Sequence, residues 1–150
     1  MKWSLKLGKL FGIDVYLHFT FLLLLVFLGF HYWRATQDVI AALRGVGFIV
    51  ALFGCVVLHE FGHALMARRY GIKTRDITLL PIGGLARLEK MPEKPMQEFW
   101  VALAGPAVNV VIAIVLFIGL ATTSGFTPMQ NLEAPGSSFW QQLLAVNVVL

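Results

Sequence analysis

Three runs of about twenty almost uncharged residues, at 15–33, 45–67 and 99–122, constrain this chain more than any other feature, because each is long enough to cross ~30 Å of hydrocarbon as a helix. In a bilayer the backbone has no water to bond to, so such a run satisfies its N–H and C=O groups internally as an α-helix. Hydrophobic residues make up 58% of the chain and charged residues 13%, which is not the balance of a soluble domain. A fourth apolar run, 139–150, is too short to span and is read as the start of a fourth helix. The expected fold is an all-α polytopic membrane protein with a small β-hairpin or edge sheet: three complete transmembrane helices and the start of a fourth. Residues 1–150 would form the N-terminal part of one membrane domain in a longer protein.

The first run follows Lys2, Lys6 and Lys9, as a secretory signal would. It is longer than an ordinary signal core and ends in His31-Tyr32-Trp33-Arg34 rather than at a small-residue cleavage site, so it is read as a retained helix. Tyr32 and Trp33 would then sit at head-group level. Basic residues set the orientation. Lys2, Lys6 and Lys9 precede the first helix, and Arg68, Arg69, Lys73, Arg75, Arg87, Lys90 and Lys94 connect the second to the third, against only Arg34 and Arg44 on the opposite side. This bias predicts a cytoplasmic N-terminus in a cell membrane and a second helix running inward. The same asymmetry and anionic lipid account for the net charge of +4, and nothing points to nucleic acid.

Inside the second run stands His59-Glu60-Phe61-Gly62-His63. Histidines four residues apart project from one face of a helix and can share one Zn²⁺, while the glutamate beside the first can hold an attacking water. Glu60 is the only acidic residue in its run, and an ionisable group at membrane depth costs about 2.5–3.5 kcal/mol. Packing histidines or haem ligands would explain the imidazoles but would leave Glu60 without a role. Metal-dependent hydrolysis uses all three. Cys55, the sole cysteine, lies one turn before His59 and cannot form an internal disulfide. It reads as a small residue that, with Gly54 and Gly62, lets helices approach; the sharper alternative is a thiolate competing for the metal.

Residues 70–90 are neither a span nor a plain loop. Lys73 to Leu80 have strand character, Pro81-Ile82-Gly83-Gly84 breaks the run, and Leu85 to Leu88 can return as a second strand. Such a hairpin either offers an edge to which an extended peptide can add, or merely shields the site. The stretch from Trp3 to Tyr16, broken at Gly8 and Gly12, can be extended and pair nearby. Gly105 and Pro106 loosen the third helix and invite close packing. Asn109, polar within that helix, serves either helix-to-helix bonding or the orientation of substrate.

Together these residues resemble the site-2 protease family of intramembrane zinc metalloproteases, most closely its compact bacterial and archaeal branch. The likeness runs from Lys9-Leu10-Phe11-Gly12-Ile13-Asp14 through His59-Glu60-Phe61-Gly62-His63-Ala64 and Leu80-Pro81-Ile82-Gly83-Gly84 to Ala104-Gly105-Pro106-Ala107-Val108-Asn109. It implies that His59 and His63 are zinc ligands, that Glu60 is the general base, and that Gly83 and Gly84 help seat an unwound substrate segment. The implied substrate is a transmembrane or membrane-adjacent peptide of another membrane protein. The family's third ligand, an aspartate in an Asp-Gly motif of the following helix, is expected beyond Leu150. Glu133 would lie in an outside loop, and Asn147 is not assigned to that motif. The competing readings are a non-catalytic membrane binding or regulatory relative that keeps the histidine helix, and, more remotely, a metal transporter, which would call for polar residues in several helices. Substrate identity and oligomeric state stay open.

Overall fold

The computed structural model describes residues 3–90, 92, 94–123 and 139–150. Lys2 and Glu133, to which the sequence assigned sides of the membrane, lie outside the described residues. The element order is β1 (Ser4–Leu10), β2 (Ile13–His18), α1 (Phe19–Thr36), α2 (Val39–Arg69), β3 (Thr74–Leu80), β4 (Gly83–Leu88), α3 (Pro95–Thr123) and α4 (Phe139–Val149). Helices α1, α2 and α3 are long and apolar enough to cross a membrane, and α4 is a shorter apolar helix.

Local chemistry explains where these helices begin and end, and why their bounds differ from those of the apolar runs. The first run was expected to be helical from residue 15. Its opening residues instead alternate buried Ile13, Val15 and Leu17 with half-buried Asp14, Tyr16 and His18, the period of a strand with one face covered. Helix α1 therefore starts at Phe19, with the His18 ring accepting from the Thr20 N–H as an N-cap. Gln37 at φ 53° ends it, and the Asp38 carboxylate caps α2 through the Ile40 N–H at 2.8 Å. This tight connection turns α2 back along α1 six residues earlier than the apolar run suggested. At the other end Gly71, at φ 77°, closes α2 with a Schellman pair: Gly71 N–H to the Arg68 carbonyl and Ile72 N–H to the Ala67 carbonyl, both 3.0 Å. Pro95 opens α3, where its missing N–H costs nothing, and Pro106 lies within the helix.

The sheet has strand order β1-β2-β3-β4. β1 pairs antiparallel with β2, β2 parallel with β3 (Asp14 opposite Asp76, Leu17 opposite Leu79), and β3 antiparallel with β4. The α1–α2 hairpin is the crossover that the parallel pair requires. The sequence anticipated the β3–β4 hairpin and an extended N-terminal segment; the sheet joins them.

This sheet lies along the flank of α2. Ile13, Val15 and Ile77 pack with Phe61 and Ala64, and further along α2, Leu17 and Leu79 pack with Phe21 and Phe53. The Phe11 ring meets Phe61 edge-on at 5.9 Å, and the Arg68 guanidinium donates to the Phe11 carbonyl, fixing the β1–β2 turn to the end of the helix. On the opposite face the Arg87 guanidinium forks onto the nearly buried Asp76 carboxylate at 2.7 and 2.6 Å, tying β4 to β3. These bonds to Asp76 also raise the Arg87 pKa above its ordinary value. At Gly54, expected to ease helix approach, an added Cβ would meet nothing within 4 Å. Gly62 is the glycine that matters here, since a Cβ there would stand 2.5 Å from the Ala104 carbonyl oxygen of α3.

Candidate metal centre

The close approach of α2 and α3 at Gly62 decides what surrounds the two histidines. On α3 the residues Val101, Gly105 and Asn109 recur every four positions and so share one face. That face meets His59 and His63, which share a face of α2 for the same reason. The two Nε2 atoms converge to 3.0 Å, with the ring centroids 4.7 Å apart and the planes nearly perpendicular. Each Nδ1 is engaged by α3: that of His63 with the Val101 carbonyl at 2.7 Å, that of His59 with the Asn109 amide at 2.9 Å. All three motif side chains are half-buried.

Glycine lets this seam close. A Cβ at Gly105 would stand 2.7 Å from His59 Nε2 and would overlap His63 Nε2 and Cε1. The imidazoles therefore lie directly on the α3 backbone. A second glycine does the same for the acid. A Cβ at Gly84 would stand 2.5 Å from Glu60 Cγ and 3.1 Å from its Oε1, so β4 passes over the Glu60 side chain with no room to spare. Gly83, at φ 137°, has a backbone conformation that an L side chain resists. Among the described residues the Glu60 carboxylate makes no hydrogen bond.

The imidazole pair fits a zinc ion. Two nitrogens at Zn–N distances of ~2.0–2.1 Å on a tetrahedral ion stand about 3.3 Å apart, a few tenths of an ångström wider than here. Ligating histidines ordinarily donate their second ring N–H to a carbonyl, carboxylate or water, as His63 does to the Val101 carbonyl, while the second nitrogen of His59 faces the Asn109 amide. For His63 the match is complete, because a carbonyl only accepts: Nδ1 carries the proton and the Nε2 lone pair is free. Among the described residues no group of three His, Cys, Asp or Glu stands close enough to hold a metal.

A family model for Peptidase family M50 matches residues 47–150, more than two thirds of the chain. The chain belongs to peptidase family M50. A zinc metalloprotease of Methanocaldococcus jannaschii is 42% identical to this M50 chain over 119 residues, covering 79% of this chain and 33% of the relative. A relative from Synechocystis is 37% identical over 98% of this chain and 38% of its own length. The solved structure titled site-2 protease from M. jannaschii superposes with a TM-score of 0.68 at 33% identity, covering 98% of this chain and 62% of that one. The M50 chain thus spans about a third of the length of its curated relatives. The match agrees with the polytopic helical fold and its small sheet.

Of the residues singled out from the M50 sequence, the structure brings together His59, His63, Glu60, Gly84 and Asn109. Cys55 is engaged elsewhere: Asn147 of α4 donates to its Sγ at 3.4 Å and to the Leu143 carbonyl at 2.8 Å. Asn109 makes the helix-to-helix bond that was one of its two foreseen roles, and its partner is a histidine of the motif. Val101 was not singled out at all, and Gly105 only as a loosener of its helix. The four-residue spacing of Val101, Gly105 and Asn109 was the available signal, since it puts a carbonyl, a bare backbone and an amide on one stripe.

Proposed function

We propose that this M50 chain carries the base and two of the ligands of an intramembrane zinc metalloendopeptidase acting on transmembrane or membrane-adjacent segments of other membrane proteins. The reading is carried by two Nε2 atoms converging at 3.0 Å while both Nδ1 atoms are held from α3. His59 and His63 would hold the ion. When bound, zinc would acidify a water toward a pKa of ~7 and polarise the scissile carbonyl. Glu60, adjacent to His59 and free of other hydrogen bonds among the described residues, would take the proton of the attacking water and return one to the departing amine.

A peptide buried in a helix is protected by its own hydrogen bonds, so substrate must unwind to be cut. β4 ends the sheet, and its Gly84 lies over Glu60. An extended segment adding to β4 would exchange helical bonds for strand bonds beside the base. Gly83 and Gly84 keep that approach clear of side chains. The basic residues of the N-terminal segment and of the α2–α3 connection would place this end of α2 on the cytoplasmic side of the cell membrane.

The reading is tested by cleavage of a labelled transmembrane substrate by the natural full-length protein in liposomes. Cleavage should stop on chelation and return with zinc in the native protein, and should not return when His59→Ala and His63→Ala are combined. Cleavage indifferent to both chelation and the double substitution would remove the metal from the mechanism.

A further inference from the structure

The register of β4 divides its residues between two faces, and the outer face carries groups that the chemistry at Glu60 does not use. Gly84 and Ala86 point toward α2: a Cβ on Gly84 would meet Glu60, and Ala86 packs against the cluster of Phe61 and Ile77. Leu85 and Arg87 alternate with them and so face away from α2, opposite Thr78 and Asp76 of β3. Leu85 is 47% exposed, and the Arg87 side chain is 42% exposed although its fork is closed on Asp76. That fork uses Nε and Nη2. A guanidinium has five N–H groups, so Arg87 keeps others to donate elsewhere.

The surrounding charge favours an acid as the acceptor. Asp76 is neutralised by Arg87, and Asp14 of β2 is neutralised by Lys6 at 2.8 Å. Arg75 lines the same polar cavity, about 310 Å³, as these two carboxylates and Arg87. The β3–β4 register shifts between Thr74 and Asp76, which makes Arg75 the additional residue of a bulge, the irregularity that re-aims a side chain. Among the described residues Arg75 has no ion-pair partner. The outer face therefore carries an uncompensated positive charge beside β4.

A strand added to β4 would bring its own residues into register with these, since residues directly opposite in neighbouring strands share a face. The substrate residue opposite Gly84 would face Glu60, and the next would lie outward against Leu85. The residue opposite Arg87 would stand three positions from the first, also outward. We propose that Arg87 is a specificity-determining residue, selecting substrates that carry an aspartate or glutamate three positions from the residue facing Gly84. The proposal rests on the reading that substrate adds to β4 as a strand. An acid is costly inside hydrocarbon and so stands near the end of a membrane span. Substrates selected in this way would be cut close to the membrane boundary instead of at mid-span.

The test uses the full-length protein in liposomes with a single-span substrate whose residues near the cut are neutral, and with derivatives carrying one aspartate at each position in turn on both sides of the cleaved bond. The cut is mapped by mass spectrometry and kcat/KM is measured for each substrate. Because the residue facing Gly84 adjoins the cleaved bond, kcat/KM should rise about 3- to 10-fold for an acid at the third or fourth residue from the cut, on one side only. That side reads the direction of the added strand. Lysine at the same position should slow cleavage below the neutral parent. Combining Asp76→Asn with Arg87→Gln removes both charges and leaves two amides that can bond β4 to β3. Whatever the overall rate of this double variant, its preference for the acid should disappear. A fork that only ties two strands predicts no preference in the wild type and an equal loss on every substrate in the variant. The proposal is overturned if no acid position changes wild-type kcat/KM by more than about 1.5-fold, if acids on both sides of the cut act alike, or if the double variant keeps the preference. Cleavage of the neutral parent that ignores chelation would overturn the reading of Glu60 and the histidines, and with it the placing of the cleaved bond at Gly84 on which the proposal depends.

Discussion

The two flanks of α2 are built on opposite principles. Toward the sheet, Phe53, Phe61 and Ala64 meet Ile13, Val15, Leu17, Ile77 and Leu79 in contacts that need only apolar shape. Toward α3, the same helix presents His59, Gly62 and His63 to Val101, Gly105 and Asn109, where atom positions are set by hydrogen bonds and by two glycines that admit no Cβ. The first flank tolerates reshaping at a cost in stability. The second should lose its chemistry to a single methyl group. The sheet flank thus backs α2 and brings Gly84 over Glu60, while the α3 flank holds the two histidines.

Gly105→Ala breaks the contrast hardest. Its Cβ would occupy the ground of both Nε2 atoms, so zinc affinity should fall more than about 100-fold, beyond the loss of one supporting bond, as metal analysis of the purified protein would show. Retained stoichiometric zinc would mean that the imidazoles do not lie where the seam places them. On the other flank, Phe61→Ala removes a ring that is 3% exposed and should cost about 3–5 kcal/mol of stability with little change in zinc affinity. Denaturation in detergent beside zinc competition separates these effects, and a parallel fall in both would show the flanks to be one unit. The smallest effect is expected at Gly84→Ala. Its Cβ would displace Glu60 but not the histidines, so cleavage should drop about 10- to 100-fold at unchanged zinc content. A loss of zinc there would show that β4 supports the ligands instead of crowding the base.

How much of this was legible in the sequence differs between the flanks for a physical reason. The apolar runs announce spanning helices because length and absence of charge suffice. His59, Glu60 and His63 declare themselves because one helical turn brings them together. The start of α1 was misplaced, since Val15, Tyr16 and Leu17 are apolar in a helical and a strand period alike, and only pairing of β2 with distant β3 decides between them. Asn109 meets His59 across fifty residues of sequence, and no local pattern encodes that meeting. The polar residue was visible, its partner was not. Gly105 likewise reads as a soft point in α3 until the helix opposite is known.

The central claim is that Glu60 acts as base beside a histidine-bound zinc, and Glu60→Gln tests it most directly, because the amide keeps the shape and cannot take the proton. The measurement is cleavage of a transmembrane substrate in liposomes by the full-length wild type and the variant, with zinc content determined on the same preparations. The account predicts equal zinc and a rate lower by about 10²- to 10⁴-fold in the variant. Equal zinc with undiminished cleavage would contradict it.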